Sequence, residues 1–322
     1  MLQQIIAPIK QEIKTFNYSL DKIIHHNDFF IDALLVDISL YKGKQLRPAM
    51  VFLSAAITGQ INSLTYTTAL VFELLHYSSL IHDDVIDNGQ KRHNQPTLNV
   101  TRGTKTAVLI GDFLLSKCMA LIAQEKNIPL LEKSSFVAQA MTTGELLQLI
   151  EPDKEILSEE QYLQIVDCKT ASLISACFEM GVFSSQDNED ICEQWSDFGR
   201  ELGIIFQLRD DLLDYQHTDF SQKDAYKDIN EHKITLPVII ALQHAPTSEQ
   251  KMILDIYKSH QGKPEDIEWL IEKITQYGGI SYTEKMIERK SESCLSFVNS
   301  QKKSIYKEAL LALIQFIKER KF

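Results

Sequence analysis

The chain has 322 residues, of which 44% are hydrophobic, and its formal net charge at pH 7 is −11. An acidic chain lacks the basic stripe of a nucleic-acid-binding protein, and no apolar run reaches the roughly 20 residues of a membrane-spanning helix, so we expect neither a nucleic-acid partner nor an integral membrane segment. The five cysteines form no CxxC pair and the N-terminus has no signal-peptide pattern, so we expect reduced thiols, no zinc site and a cytoplasmic location.

Helical periodicity dominates the chain, and no alternation of short strands with helices indicates a βαβ unit. Polar breaks near 88–104, 184–190, 218–232 and 245–250 predict loops. From 264 onward the helical pattern carries more charge, which is typical of peripheral helices. No linker divides the chain, so the sequence predicts one all-α domain over 1–322. The strongest helical segments are "TTALVFELLHYSSLIHDDVID", "TAVLIGDFLLSKCMALIAQ", "SSFVAQAMTTGELLQLI", "YLQIVDCKTASLISACFEMGVF" and "WSDFGRELGIIFQLRDDLLDY".

The first of these helices ends in an acidic motif, "DDVID". Asp83 and Asp87 are four residues apart and share one helix face, and Asp84 flanks them. A single motif of this kind is also explained as the solvated end of a core helix.

The chain repeats the motif as "DDLLD", which carries Asp210, Asp211 and Asp214 at the same spacing after another apolar helix. Six carboxylates facing a common cavity would repel one another and could not all stay ionised without cations. Mg²⁺ prefers hard oxygen ligands and is typically held by a few carboxylates together with substrate phosphates. The two motifs therefore indicate a diphosphate that is bridged by several Mg²⁺ ions.

A diphosphate site also needs basic and neutral polar groups. Lys169 and Thr170 lie inside an apolar helical pattern, where an unpaired charge is costly, and Gln207 lies on another apolar helix. Taken singly, Lys44 and Arg47 are also explained as a surface loop, and His76 as a hydrogen-bonded core histidine. The full set of candidates is Lys44, Arg47, His76, Arg92, His93, Lys169, Thr170, Gln207, Lys223, Lys227 and Lys233.

In this order the motifs resemble those of the trans-isoprenyl (polyprenyl) diphosphate synthase family. The resemblance covers about 40–240 and extends more weakly through both ends. Besides the two acidic motifs, it rests on "GKQLRP", "HDDVID", "GDFLL", "GELLQL", "KTASL", "FQ" before the second motif, and "KITLP". It implies an isoprenoid-synthase-type helical bundle around a central cavity, usually as a homodimer.

The resemblance also implies a reaction, in which isopentenyl diphosphate condenses head to tail with an allylic diphosphate. Mg²⁺, about three ions, would hold the allylic diphosphate on Asp83, Asp87 and Asp210, with Asp84, Asp211 and Asp214 in support. Its phosphates would also contact Arg92, Lys169, Lys223 and Lys233. Isopentenyl diphosphate would bind Lys44, Arg47 and His76, and the dipoles of Thr170 and Gln207 would stabilise the carbocation.

The sequence departs from the family pattern at several positions. Members usually show RRG after the first motif, whereas this chain has Arg92, His93 and Asn94. The second arginine normally helps to hold isopentenyl diphosphate, so His93 predicts an active but weaker site. Tyr226 and His232 stand where glycines are common in the family.

Product length should depend on the helix that leads into Asp83. Ser79 and Ser78 stand where short-chain members of the family tend to have a bulky aromatic residue. Leu75 and Phe72 lie roughly 12 and 16 Å deeper by helix rise, and they or Phe136 could close the floor of the cavity. Phe72 and Phe136 are equally explained as ordinary core residues. We expect a product longer than farnesyl diphosphate, from geranylgeranyl to octaprenyl, towards the longer end.

Two other functions compete with this one. A terpene cyclase shares the ionisation chemistry and one DDxxD motif, but it would leave Lys44, Arg47 and His76 unexplained. A non-catalytic subunit of a hetero-oligomeric synthase would tend to lose the acidic motifs, and both are present here.

Overall fold

A computed structural model describes residues 1–26, 28–39, 43–92, 95–150, 157–186, 188–215, 227–230, 233–259 and 264–320. Two compact units divide the chain, and each unit is built from three segments. The first unit comprises 1–141, 173–199 and 301–313, and the second comprises 142–172, 200–300 and 314–322. The predicted single domain stays a prediction.

Helices account for nearly all the regular structure of the described residues, which confirms the predicted all-α class. They are α1 (Leu2–Ile6), a 3₁₀ segment (Ala7–Ile9), α2 (Lys10–Ile24), α3 (Phe29–Ser39), α4 (Leu46–Thr58), α5 (Ser63–Ile86), α6 (Leu98–Thr101), α7 (Thr104–Glu125), α8 (Ile128–Ile150), α9 (Glu159–Val166), a π-helical segment (Asp167–Ala171), α10 (Ser172–Ser185), α11 (Glu189–Asp214), α12 (Lys227–Asn230), α13 (Leu236–His244), α14 (Thr247–Ser259), α15 (Pro264–Gln276), α16 (Gly279–Ser300) and α17 (Ile305–Lys318). Two short strands, β1 (Lys91–Arg92) and β2 (Gln95–Pro96), pair antiparallel.

Helix α5 is the central helix of the first unit, and it packs against α4 and α7. A capping box between Asn62 and Thr65 fixes its start, because each side chain satisfies a backbone N–H of the other residue. Apolar residues lie nearly all round it, and Phe72 is fully buried. This packing holds the C-terminal end of α5, and with it the first acidic motif, in a fixed position.

The second unit has its own core, which supports the end of α11. Tyr215, directly after the second acidic motif, packs with Ile229, Val238, Tyr257 and Leu270. The hydroxyl of Tyr215 lies 2.6 Å from that of Thr235, which satisfies both polar groups inside the core.

The predicted loop at 88–104 is wrong in part, because β1, β2 and α6 lie within it. The segment folds back onto itself because Thr97 and Asn99 both donate hydrogen bonds to the Gly89 carbonyl oxygen. The predicted loop at 218–232 lies mostly outside the described residues, apart from the helical turn α12, and α14 begins inside the predicted loop at 245–250.

Helix α7 is the one helix of the described residues that is long and apolar enough to cross a membrane. A single helix of this kind is weak support for a membrane span, because core helices of soluble proteins have the same composition. Its buried residues, among them Ile110 and Leu114, pack inside the first unit.

Candidate active site

The first acidic cluster lies at the C-terminal end of α5, where Asp87 caps the helix. Carbonyl groups converge at that end and give it partial negative charge, so three carboxylates there are electrostatically unfavourable. Asp84 is buried, whereas Asp83 and Asp87 are partly exposed. The cluster therefore needs cations to balance it.

Arg92 on β1 supplies one of those cations. Its guanidinium donates to both carboxylate oxygens of Asp84, at 2.8 Å from Nη2 and 3.1 Å from Nε. Such a forked, charge-assisted pair is strong and fixes both side chains. Asp84 is thus held by the protein, and Asp83 and Asp87 are the more accessible carboxylates of the cluster.

The basic residues predicted to bind isopentenyl diphosphate lie in the same unit. Lys44 is exposed before α4, Arg47 is partly buried in the first turn of α4, and His76 lies on α5. Burial and the positive charges of Arg47 and Arg92 lower the pKa of His76 well below its usual value. At pH 7 a neutral imidazole can donate a hydrogen bond to a phosphate but adds no charge to the site.

Sequence reasoning missed Glu73, which lies one helical turn before His76 and is only 3% exposed. Burial raises the pKa of the Glu73 carboxyl, and the positive charge of the nearby Arg47 guanidinium opposes the rise. Glu73 therefore balances Arg47 from inside the core. An ionisable residue within the apolar run "ALVFELLHY" was the signal that could have revealed it.

The second acidic cluster ends α11, and its three members differ in their surroundings. Asp211 is only 3% exposed and accepts hydrogen bonds from Tyr162 and from the Gln207 amide. Asp214 is also buried, and one of its oxygens accepts from the Asp228 backbone N–H at 2.8 Å. Asp210 is partly exposed. Donors from the protein thus form hydrogen bonds with carboxylate oxygens of both Asp211 and Asp214.

Burial raises the pKa of Asp211 to about 7, and the charges of Asp210 and Asp214 add to the rise. The hydrogen bonds from Tyr162 and Gln207 oppose it, because they stabilise the carboxylate. The crowding of the three carboxylates therefore favours the protonated form of Asp211.

A cation near the end of the chain faces Asp210. Nη1 of Arg320 lies 2.6 Å from a carboxylate oxygen of Asp210, and the guanidinium stacks over the Phe206 ring at 4.8 Å. The Arg320 carbonyl oxygen also accepts from Nε of Arg209. Sequence reasoning gave no sign of this contact, because it joins residues 110 positions apart.

Lys169 and Thr170 lie in the π-helical segment, whose wider turn interrupts the run from α9 to α10. Such segments are rare and often occur at functional sites. Lys169 forms an ion pair with Glu145 and donates to Gln148 at 3.0 Å, both on α8. Thr170 donates its hydroxyl proton to the Gln207 side-chain oxygen at 2.8 Å. The structure therefore brings Thr170, Gln207 and Asp211 together in one network.

The candidate chain-length residues fall in different environments. Phe72, Leu75 and Ser78 are buried, and Ser78 donates to the Gly111 carbonyl oxygen on α7. Ser79 is partly exposed. Phe136 is 52% exposed, and the Lys133 ammonium lies above its ring. Because the side chain is exposed, its position gives no support to a role as cavity floor.

The remaining candidates give less information. His93, Lys223, Tyr226 and His232 lie outside the described residues, as does the side chain of Lys227. Lys233 is partly exposed before α13.

Among the described residues, no group of three or more His, Cys, Asp or Glu side chains forms a ready-made metal site. Mg²⁺ is commonly bound by one or two carboxylates and completes its coordination with water and substrate phosphates. Asp83, Asp87 and Asp210, the more accessible members of the two clusters, are the residues that fit such a role.

Comparison with known proteins gives consistent results. The family model described as polyprenyl synthetase matches residues 30–274. The octaprenyl diphosphate synthase of Escherichia coli is 29% identical over 321 residues, 99% of this chain and 99% of that protein. An all-trans-nonaprenyl-diphosphate synthase (geranyl-diphosphate specific) of Rhodobacter capsulatus is 30% identical, over 99% of this chain and 98% of that protein. A crystal structure of polyprenyl synthase from Caulobacter crescentus, complexed with calcium and isoprenyl diphosphate, has a TM-score of 0.90 with 27% identity, over 99% of this chain and 98% of that chain.

Proposed function

Because the chain belongs to the polyprenyl synthetase family, it is a prenyltransferase, and we propose that it condenses isopentenyl diphosphate with an allylic diphosphate to give a trans-polyprenyl diphosphate. The observation that carries the proposal is the family match over 30–274 together with an aspartate motif at the end of each of two helices, α5 and α11. In each motif a buried carboxylate is held by hydrogen bonds from the protein, and at least one other carboxylate is more exposed.

The residues divide into three roles. Asp83, Asp87 and Asp210 would hold Mg²⁺, which neutralises the charge that builds up on the departing diphosphate. The phosphates of the allylic substrate are assigned to Arg92, Lys169, Lys223 and Lys233. Lys44, Arg47 and His76 bind the second diphosphate.

The reaction then needs little from protein acids or bases. The allylic C–O bond breaks, and its electron pair leaves with the diphosphate. The double bond of isopentenyl diphosphate attacks the resulting carbocation and forms the new C–C bond. A proton is lost to the released diphosphate. Thr170 and Gln207 present neutral dipoles, which stabilise the cation without capturing it as a charged nucleophile would.

We assign a product longer than farnesyl diphosphate, within the geranylgeranyl-to-octaprenyl range and towards its longer end. The names of the relatives support a long product, since those compared above are octaprenyl and nonaprenyl synthases. The small side chain of Ser79, before the first motif, supports it as well.

The test is incubation of the purified chain alone with Mg²⁺, labelled isopentenyl diphosphate and each allylic primer, followed by chromatography of the dephosphorylated products. Long linear products are expected. Asp83→Asn should abolish incorporation, and Asp190→Asn, the same change at an exposed position that starts α11, should not. No incorporation would favour the non-catalytic subunit, cyclic products would favour a terpene cyclase, and a fifteen-carbon product would contradict the proposed length.

The proposal includes a homodimer. In the described chain, α7 carries exposed apolar residues, among them Leu109 at 67% and Met119 at 64%. Exposed apolar patches of this kind mark association sites. Sedimentation equilibrium should give twice the mass of the chain, and Leu109→Lys should shift the equilibrium towards the monomer. A wild-type monomer at micromolar concentration would contradict a dimer.

A further inference from the structure

Tyr162 is a buried tyrosine whose hydroxyl the proposed reaction does not use. It lies in α9, which begins with a capping box between Ser158 and Gln161. Only 5% of the residue is exposed, and its hydroxyl donates to one carboxylate oxygen of Asp211. Burial and the adjacent Asp211 raise the pKa of Tyr162 well above its usual value, so the hydroxyl keeps its proton and acts as a donor.

The bond to Asp211 is the first of three that run in series. The other oxygen of Asp211 accepts from the Gln207 side-chain nitrogen at 2.8 Å. The Gln207 side-chain oxygen accepts from the Thr170 hydroxyl at 2.8 Å. The four side chains come from α9, the π-helical segment and α11, all within the second unit.

The series fixes the direction of each dipole. Because one oxygen of Asp211 accepts from Tyr162 and the other from Gln207, the NH₂ group of Gln207 faces the carboxylate. Its oxygen then faces Thr170, so the Thr170 hydroxyl must donate its single proton to Gln207. The lone pairs of the Thr170 oxygen are thereby left to point away from Gln207.

We propose that Tyr162 is a positioning residue, which acts through Asp211 and Gln207 to hold the Thr170 oxygen with its lone pairs available to the allylic carbocation. This inference rests on the proposed function. It assigns Asp211 to orientation of the network, which agrees with its burial and its two protein donors.

The test compares Tyr162→Phe with the full-length wild-type enzyme. Loss of the donor should lower kcat about tenfold, which corresponds to about 1.4 kcal/mol in the barrier, with little change in KM for either substrate or in the Mg²⁺ midpoint. Tyr257→Phe is the matched control, because it removes another buried hydroxyl in the same unit, 3.3 Å from that of Tyr215. It should leave kcat unchanged.

A double-mutant cycle with Thr170→Val separates positioning from a general structural effect. If Tyr162 acts through Thr170, Tyr162→Phe should cause little further loss of kcat in the Thr170→Val background. An equal loss in both backgrounds, or an equal loss in Tyr257→Phe, would overturn the inference. Thr170→Val with wild-type kcat would overturn it even if Tyr162→Phe did not fold.

The result also distinguishes this inference from the proposed function. An active wild type with an equally active Tyr162→Phe variant would overturn the role of Tyr162 and leave the prenyltransferase assignment standing. A folded wild type that incorporates no isopentenyl diphosphate would overturn the proposed function and this inference with it.

Discussion

Glu73, His76 and Arg47 illustrate how burial decides what a polar side chain can do. Glu73 and His76 are one turn apart on α5, and Arg47 influences the pKa of both. Arg47 stabilises the Glu73 carboxylate and disfavours a proton on His76. The group therefore carries its positive charge on Arg47, and His76 contributes a neutral hydrogen-bonding ring.

The lowered pKa of His76 predicts how stability depends on pH. In the unfolded chain the imidazole takes up a proton below about pH 6.5, whereas in the folded protein it stays neutral to lower pH. The contribution of His76 to the free energy of unfolding is therefore fully present above about pH 6.5. It is lost as the pH falls through that value towards the pKa of His76 in the folded protein. The free energy of unfolding, measured in urea, should decrease between pH 7.5 and pH 5.5 in both proteins. The decrease should be smaller for His76→Gln than for the wild type.

His244→Gln is the control for that comparison, since it removes an exposed histidine of the second unit. It should keep the pH dependence of the wild type. An identical loss in His76→Gln and the wild type would contradict the environment described for His76.

Single residues could be identified from the sequence, but their partners could not. The aspartates and Lys169 stand out because charged residues interrupt apolar helices. Their partners lie far away in the chain, as with Glu145 for Lys169 and Tyr162 for Asp211, and only the packing of helices brings them together. The family resemblance gave Asp84, Asp211 and Asp214 a supporting role, and these three are the buried carboxylates of the two motifs.

Close contacts between helices set the positions of the polar groups on them. A Cβ atom on Gly144 of α8 would lie 3.0 Å from both the Cys168 Cβ and the Lys169 backbone nitrogen. This close approach places the π-helical segment directly against α8, where Glu145 can pair with Lys169.

Gly144→Ala should therefore be destabilising and should also disturb the site. Overpacking of a tight contact costs about 1–3 kcal/mol, because backbone rather than a flexible side chain must move. We expect a lower melting temperature and, since Lys169 is displaced, a higher KM for the allylic substrate. Thr143→Ala, at an exposed neighbouring position of α8, should change neither quantity. An unaltered melting temperature in Gly144→Ala would show that the contact is looser than described.

Helix α5 presents Ser78 and Ser79 to different surroundings, and this separates their expected roles. Ser78 is buried against α7 through its hydrogen bond to Gly111, whereas Ser79 donates locally to the His76 carbonyl oxygen. Ser79→Phe should therefore shorten the main product, because a bulky ring is introduced about 6 Å along the helix from Asp83. Ser78→Ala should cost about 1 kcal/mol in stability with no change in product.

Chromatography of the dephosphorylated products tests the assignment. Products of unchanged length from an active Ser79→Phe enzyme would remove Ser79 from the wall of the growing chain. A longer product from Ser78→Ala would give that role to Ser78.

At the level of elements, apolar periodicity predicted the long helices because each buries a wide apolar surface. It did not reveal the π-helical segment, since one extra residue in a helical turn leaves no mark in composition. It also overlooked β1 and β2, which are only two residues long and therefore leave no alternating pattern in the sequence.

The whole molecule carries a net charge of −11 and yet has to bind substrates that are themselves anions. Local cations make this possible, because screening limits repulsion between distant charges to about 10 Å at ordinary ionic strength. Arg92 compensates the first acidic cluster and Arg320 the second, each within its own unit. Mg²⁺ is the further cation that the family resemblance implies.

The prediction that both acidic clusters serve one diphosphate can be tested by stability alone, without turnover. A ligand that binds only the folded state at 100 times its Kd adds about 2.7 kcal/mol to the free energy of unfolding. The wild type should therefore melt several degrees higher with Mg²⁺ and inorganic diphosphate together than with either one alone. Asp83→Asn and Asp210→Asn should each lose most of this shift.

The double variant decides whether the two clusters act together. If one diphosphate requires both, Asp83→Asn with Asp210→Asn should lose no more of the shift than either single variant, because the first substitution already removes the ligand. Independent clusters would instead give partial losses that add. Asp190→Asn should keep the full shift, since it changes an exposed aspartate outside both motifs. Additive losses would contradict a shared diphosphate, although each cluster would still bind one by itself.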